Sequence, residues 1–204
     1  MASVINSLVL ASQSPRRLEL LRSLGLDVRV RPSRYPEPDR PDLAPRELAL
    51  EHARKKCADV ASAIADPSQI ILAADTVVDV DGAAYNKPRD EADARRMLRD
   101  LSGRTHVVHT AIAFVAEGGM HEYCESTRVT FFALDEQTIA AYAASGEPMD
   151  KAGAYGIQGY GATLVERIEG DFYTVMGLPL ARFTRMLSGL GFALPITKQG
   201  STTV

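Results

Sequence analysis

A four-residue apolar run, Leu8-Val9-Leu10-Ala11, passes directly into Ser12-Gln13-Ser14-Pro15-Arg16-Arg17, after which Leu18, Leu21 and Leu24 recur at helical spacing. A buried strand that turns at once into an amphipathic helix commits the chain to an α/β arrangement in which helices cover a sheet. Ser14 suits the N-cap and Pro15 the first helical position. The turn then offers free backbone N–H groups and a positive dipole end beside two guanidiniums, the chemistry of a polyphosphate site. The same residues equally suit an ordinary strand-turn-helix with solvated arginines, so the rest of the chain has to decide.

Strand-like and helix-like segments go on alternating. Val28-Arg29-Val30 is followed by a loop from Pro32 to Pro45, punctuated by Pro36, Pro38 and Pro41, and long loops in compact domains are often functional. Ala49, Ala53, Cys57, Val60 and Ile64 keep one apolar face through a helix ending near Asp66-Pro67. Ile70 to Ala74 reads as a buried strand that continues to Val78, with a hairpin turn at Asp81-Gly82. Asp90 caps a helix carrying Ala94, Met97, Leu98 and Leu101, which stops at Ser102-Gly103. Thr105 to Val115 and Tyr123 to Leu134 flank Gly118-Gly119 as an antiparallel pair. A helix from Asp135 to Ala144, a glycine-rich segment from Gly146 to Gly161, a short strand at Leu164-Val165 and a helix after Pro179 complete the pattern. The expected organisation is one domain over residues 1–194 and a polar tail over 195–204.

With 204 residues, 46% of them hydrophobic and 24% charged, the chain can bury a full core. A formal net charge of -3 argues against a nucleic-acid surface, which needs a basic stripe, so any bound polyanion is expected to be small. Cys57 and Cys124 are too few for a disulfide scaffold or a metal-binding cysteine pair. No leader pattern and no membrane-length apolar stretch occurs, and the expected location is the cytoplasm.

Asp75 stands at the end of a five-residue apolar strand, where an acid must be paired, protonated, metal-bound or functional. One reading makes it a general base that activates water; the other, a satisfied turn aspartate. Lys87 precedes Pro88, which fixes the backbone that presents its ammonium. Lys56 neighbours the apolar face of its helix and either borders a cleft or is a surface lysine. From Asp150 to Gly159 the chain carries Gly153, Gly156 and Gly159. Such backbone can approach a ligand closely, with Gln158 able to meet a base edge and Lys151 a phosphate. It matches neither a Walker A loop nor a dinucleotide fingerprint, and a glycine-rich hairpin without a ligand is the alternative.

Taken in order, Ser12-Gln13-Ser14-Pro15-Arg16-Arg17, Ala74-Asp75-Thr76-Val77-Val78, Lys87-Pro88, Leu101-Ser102-Gly103, Asp150 to Gly159 and Gly177-Leu178-Pro179-Leu180 resemble the Maf family of nucleoside triphosphate pyrophosphatases. The resemblance runs from about Leu8 to about Leu190, and the form Lys151-Ala152-Gly153-Ala154-Tyr155-Gly156-Ile157-Gln158-Gly159 is similar to the branch acting on dTTP and UTP. It implies a mixed twisted sheet flanked by helices, similar to inosine triphosphate pyrophosphatases, with two lobes around a central cleft. It implies that Asp75 is the proton acceptor and that Arg16, Thr76 and Gln158 distinguish substrates. Arg17, Lys56 and Lys87 are then expected around the triphosphate, with Ser12 and Lys151 beside them. A divalent cation, Mg²⁺ or Mn²⁺, is expected on Asp75 and Glu37, and a homodimer is compatible with exposed strand edges. Two departures stand out: Tyr35-Pro36-Glu37-Pro38-Asp39 splits an acidic pair around a proline, and Asn86 replaces a small residue before Lys87. The alternatives are a broader pyrophosphatase of non-canonical nucleotides and a regulatory binding protein in cell division.

Overall fold

A computed structural model describes residues 2–195 of the chain, so the tail expected over 195–204 lies, after Pro195, outside the described residues. In chain order the elements are β1 (Ser3–Val4), β2 (Ser7–Leu10), α1 (Pro15–Ser23), β3 (Asp27–Val30), α2 (Pro45–Ser62), β4 (Ile71–Val80), β5 (Ala83–Tyr85), α3 (Glu91–Leu101), β6 (Thr105–Ala116), β7 (Gly119–Phe131) and α4 (Glu136–Ala144). Three 3-10 turns, Glu147–Asp150, Ala152–Ala154 and Gly159–Leu164, lead into β8 (Val165–Glu169), α5 (Phe172–Met176), α6 (Leu180–Gly189) and β9 (Phe192–Ala193).

The main sheet has the order β3-β2-β4-β6-β7-β8, with β5 paired to β4. β2 runs parallel to β3 and β4, while β6, β7 and β8 continue antiparallel, so the sheet is mixed. β1 and β9 form a separate parallel pair that ties the two ends of the described chain together. No helix among the described residues is long and apolar enough to cross a membrane.

Alternation along the strands decides where the cores lie, because successive side chains point to opposite faces. On one face the register pairs Leu72 with Phe114, Ala74 with Ile112, Thr76 with Thr110 and Val78 with Val108. The first two pairs belong to a core under α1 and α6, with Leu8, Leu21 and Phe183, and Val78 and Val108 to a second core with Leu98, Leu101, Phe131 and Tyr155. The threonine pair between them interrupts the apolar row, so this face of one continuous sheet carries two hydrophobic cores parted by a polar seam. These are the two lobes. On the opposite face Ile71, Ala73 and Val77 pack with Ala49, Ala53, Cys57 and Val60 of α2, and Asp75 is a buried acid set into that row, with the less buried Asp79 at its end.

Local chemistry explains the helix starts. Asp90, Asp135 and Asp171 each accept the backbone N–H three residues on, at 2.8, 2.7 and 2.6 Å. Ser14 does the same for Arg17 only at 3.5 Å, with Pro15 in the first turn.

The structure differs from the sequence reading in detail. α2 stops at Ser62 rather than near Asp66, and β7 begins at Gly119 directly after the turn, earlier than Tyr123. The strand at Leu164-Val165 runs on to Glu169, and the glycine-rich stretch is a chain of 3-10 turns, not a hairpin. At Gly153 (φ 68°) an added Cβ would lie 2.8 Å from Val78, so the turn presses backbone against the sheet where no larger residue fits. The β1–β9 pair and α5 escaped the sequence because elements of two and five residues carry no usable period.

His106 is packed edge-on against Phe131 and Tyr155, 3% exposed, and its Nε2 lies 2.7 Å from the Tyr155 hydroxyl. Burial pulls its imidazole down from 6.5 to about 4. Between those values the unfolded chain binds a proton that the folded protein refuses, so the stability this group contributes is present above pH 6.5 and lost as pH falls toward 4. The expected slope is about 1.4 kcal/mol per pH unit. Urea melts across that window check it: relative to wild type, His106→Phe gains stability by that slope as the pH is lowered.

Candidate active site

A cleft of about 840 Å³ opens at the polar seam, and every residue singled out in the sequence lines it: Ser12, Arg16, Arg17, Glu37, Lys56, Asp75, Thr76, Lys87, Lys151 and Gln158. Three kinds of backbone supply them. The strand β4 sets Asp75 and Thr76 in its middle, on opposite faces; α1 and α2 contribute the two arginines and Lys56; loops and turns bring the rest.

Asp75 is 7% exposed, and its Oδ1 accepts from Lys56 Nζ at 2.7 Å. Lys56, 9% exposed, also reaches Glu37 Oε2 at 2.6 Å. A buried carboxylate and ammonium that each lacked a partner would be costly, and here each neutralises the other. Asp75 Oδ2 accepts no hydrogen bond from the described residues, which leaves it open to the cleft. Glu37 sits at φ 50°, a left-handed conformation unusual for a glutamate, and its contact with Lys56 is what that bend achieves.

Two carboxylates converging on one cationic point make a donor set of the kind Mg²⁺ uses, namely one or two carboxylates completed by phosphate oxygens and water. The described residues hold no group of three or more His, Cys, Asp or Glu arranged for a metal ion. The pair therefore fits an ion that arrives with a phosphorylated ligand better than one caged by protein alone.

The two arginines part company. Arg17 donates from Nε to Gly177 O (2.7 Å), from Nη1 to Ser12 Oγ (3.1 Å) and Ala74 O (2.9 Å), and from Nη2 to Thr76 Oγ1 (3.0 Å). Four of its five N–H groups are thus spent on protein, one remaining for a ligand. Burial lowers its pKa from the usual arginine range, and the charge of Asp75 acts against that shift. Thr76 is similarly committed: its hydroxyl lies 3.0 Å from that of Thr110, which donates to Thr174 O at 2.7 Å. Arg16 reaches across to Asp150 Oδ2 at 3.0 Å. Lys151 donates to Glu147 O (2.5 Å) and Asp150 Oδ1 (2.6 Å), whereas Lys87 is exposed and makes no ion pair with the described residues. Gln158 is exposed at the cleft edge with its amide unbonded to described side chains or backbone.

Three contributors went unremarked in the sequence. Glu147 Oε1 accepts from the Tyr142 hydroxyl (3.0 Å) and Gly161 N (3.1 Å), and its Oε2 from Tyr160 N (3.1 Å). The Tyr142 hydroxyl in turn accepts from Gly156 N at 3.2 Å, so one carboxylate and one phenol shape the turns that present Gln158. Asp150 is the second, holding both Arg16 and Lys151. His52 is the third: 5% exposed, it lines the cleft one helical turn before Lys56, its ring tilted at 50° to that of Tyr35. The one signal that could have found it is its helical spacing from Lys56.

A mixed sheet opening on a cleft in which arginines and lysines surround one buried carboxylate defines the class of α/β proteins suited to small phosphorylated ligands. Comparison with known proteins narrows the class. Residues 7–190 match the family described as Maf-like protein, and the chain belongs to the Maf family. It is 46% identical to the dTTP/UTP pyrophosphatase of Bacillus velezensis over 180 residues, 88% of this chain and 94% of that one. The proteins of the same description from Thermus thermophilus and Methanosarcina mazei are 46% and 45% identical, over 91% and 92% of this chain and 95% of each of theirs. Among solved structures, the Staphylococcus aureus Ham1 protein resembles it loosely, with a TM-score of 0.43 and 17% identity over 61% of this chain and 71% of that one.

The Arg17 contacts generate a stability test. A lysine there keeps the charge but cannot serve acceptors on β4, the β2–α1 turn and the α5–α6 junction together. Arg17→Lys is expected to lower unfolding free energy by roughly 1–3 kcal/mol, read from the urea midpoint at unchanged slope.

Proposed function

We propose that this chain hydrolyses dTTP and UTP to the nucleoside monophosphate and pyrophosphate. The observation that carries the reading is Asp75, a buried carboxylate with one oxygen held by Lys56 and the other open to a cleft ringed by cations. Membership of the Maf family and the descriptions of its relatives as dTTP/UTP pyrophosphatases support the choice of reaction.

In the proposed mechanism Asp75 Oδ2 takes a proton from a water molecule. That water's oxygen adds to the α-phosphorus as the bond from it to the β-phosphate's bridging oxygen breaks, so the hydroxyl stays on the monophosphate and the electron pair leaves with pyrophosphate. Lys56 orients Asp75 through Oδ1. Arg16, Lys87, Lys151, Ser12 and the remaining N–H of Arg17 bind the phosphate oxygens and offset the charge that grows on the leaving group. Asp75 and Glu37 would hold a divalent cation, Mg²⁺ or Mn²⁺, which when bound draws charge off the phosphate oxygens. Gln158 reads the pyrimidine edge, with Thr76 acting through its bond to Arg17. The protein is taken to work in the cytoplasm, and the edges of the sheet at β3 and β8 are where a second copy would pair.

Three measurements test this. Incubation with a panel of nucleoside triphosphates and Mg²⁺ or Mn²⁺ is expected to yield monophosphate plus pyrophosphate from dTTP and UTP; diphosphate plus phosphate, or no reaction, overturns the assignment. Asp75→Asn is expected to cut turnover roughly 10²- to 10⁴-fold while nucleotide binding persists, and near-normal turnover removes Asp75 as the base. Gln158→Ala should narrow the preference for UTP over CTP by roughly tenfold, the worth of one well-placed hydrogen bond, seen in kcat/KM for the two substrates.

A further inference from the structure

Arg16 and Lys151 both line the cleft, one in the first turn of α1 and the other between the first two 3-10 turns. One carboxylate takes both: Asp150 Oδ2 accepts from Arg16 at 3.0 Å, and Oδ1 from Lys151 at 2.6 Å. Asp150 also differs from the other aspartates that begin or end helical turns. Asp90, Asp135 and Asp171 accept backbone N–H groups as helix caps, whereas both oxygens of Asp150 are spent on side-chain cations. Its side chain is 58% exposed and lines the cleft, so a competing anion can reach the same two partners.

We infer that Asp150 is an internal anion that competes with phosphate for Arg16 and Lys151, and so sets how tightly the cleft holds any phosphoanion. The inference rests on the proposed function, in that the cleft takes a triphosphate. A phosphate meets these cations either through the N–H groups that Asp150 leaves free, sharing their charge with it, or by displacing the carboxylate, and in both cases the standing ion pairs are subtracted from its binding. A nucleoside triphosphate, with the most charge and the most contacts, binds in spite of this. The two products, each with part of that charge, are held less firmly and leave. Burial pushes the Asp150 carboxyl up, but the Lys151 hydrogen bond and the Arg16 charge bring it below the usual carboxylate range, so the competitor is ionised whenever the substrate is.

The test is calorimetric titration of inorganic tripolyphosphate and pyrophosphate onto wild type, Asp150→Asn, Arg16→Gln and the double variant, alongside KM for dTTP. Asp150→Asn is expected to bind both anions roughly two- to fivefold more tightly, the range for a partly exposed ion pair. KM should fall in step, inhibition by pyrophosphate should strengthen, and the tightening should shrink in the Arg16→Gln background. Equal or weaker affinity in an Asp150→Asn protein with a normal unfolding midpoint overturns the inference. Should that variant fail to fold, Asp150→Ser poses the same test. If wild type binds neither tripolyphosphate nor dTTP, the proposed function falls and the inference with it; if wild type binds and hydrolyses dTTP but the variants do not tighten, the inference alone falls.

Discussion

A single guanidinium sits where the two hydrophobic cores part. The sheet runs through both, but at Thr76 and Thr110 its apolar row is broken, and a polar seam inside a protein is tolerable only if its groups find partners. Arg17 supplies them, donating to the β2–α1 turn, to the main chain and side chain of β4 and to the carbonyl of Gly177. The close fit leaves little freedom: at Gly177, φ 106°, an added Cβ would lie 3.4 Å from both Arg17 Nε and Thr76 Oγ1. The residue that begins as one of two arginines at a helix start thus satisfies the polar seam from the side of the first core, at the place where the cleft opens.

On the other face of the same strand, the charge arrangement is complementary. Asp75 interrupts the row that α2 covers, and Lys56 descends from that helix to meet it. The cleft is therefore built where both faces of β4 turn polar within two consecutive residues, Asp75 and Thr76. Glu37, brought in by the proline-punctuated loop, adds a second carboxylate to Lys56 without any regular structure to carry it.

Much of this was legible in the sequence, for reasons that differ by residue. The strand before Ser12, the long strand through Asp75 and the helices at Asp90 and Asp135 announce themselves by period and cap, which are local properties. Asp75 is conspicuous because an acid in an apolar strand is out of place. The seam was not legible, since it depends on the register that sets Thr76 beside Thr110, and register is a property of two strands together. Nor was the organising part of Glu147 or Asp150, whose side-chain partners are set by the tertiary fold, Arg16 lying 134 residues from Asp150. The glycine-rich segment shows the limit from the other side: its glycines signalled close approach, and what they approach is largely protein, Val78 at Gly153 and the Lys151 stem at Gly156.

The placement of Asp75 in mid-strand has one more consequence. Its backbone is fixed by ladder bonds to β6 and cannot shift without disrupting the sheet. Gln158, by contrast, is presented by short turns that depend on a few glycines and the hydrogen bonds of Glu147 and Tyr142. Reacting groups and recognising groups thus lie on parts of the chain with very different mutational tolerance. A lineage can rewrite what the rim accepts by substitutions in the turns while the reacting carboxylate stays in place, so the fold is open to divergence in ligand choice at small risk to its stability.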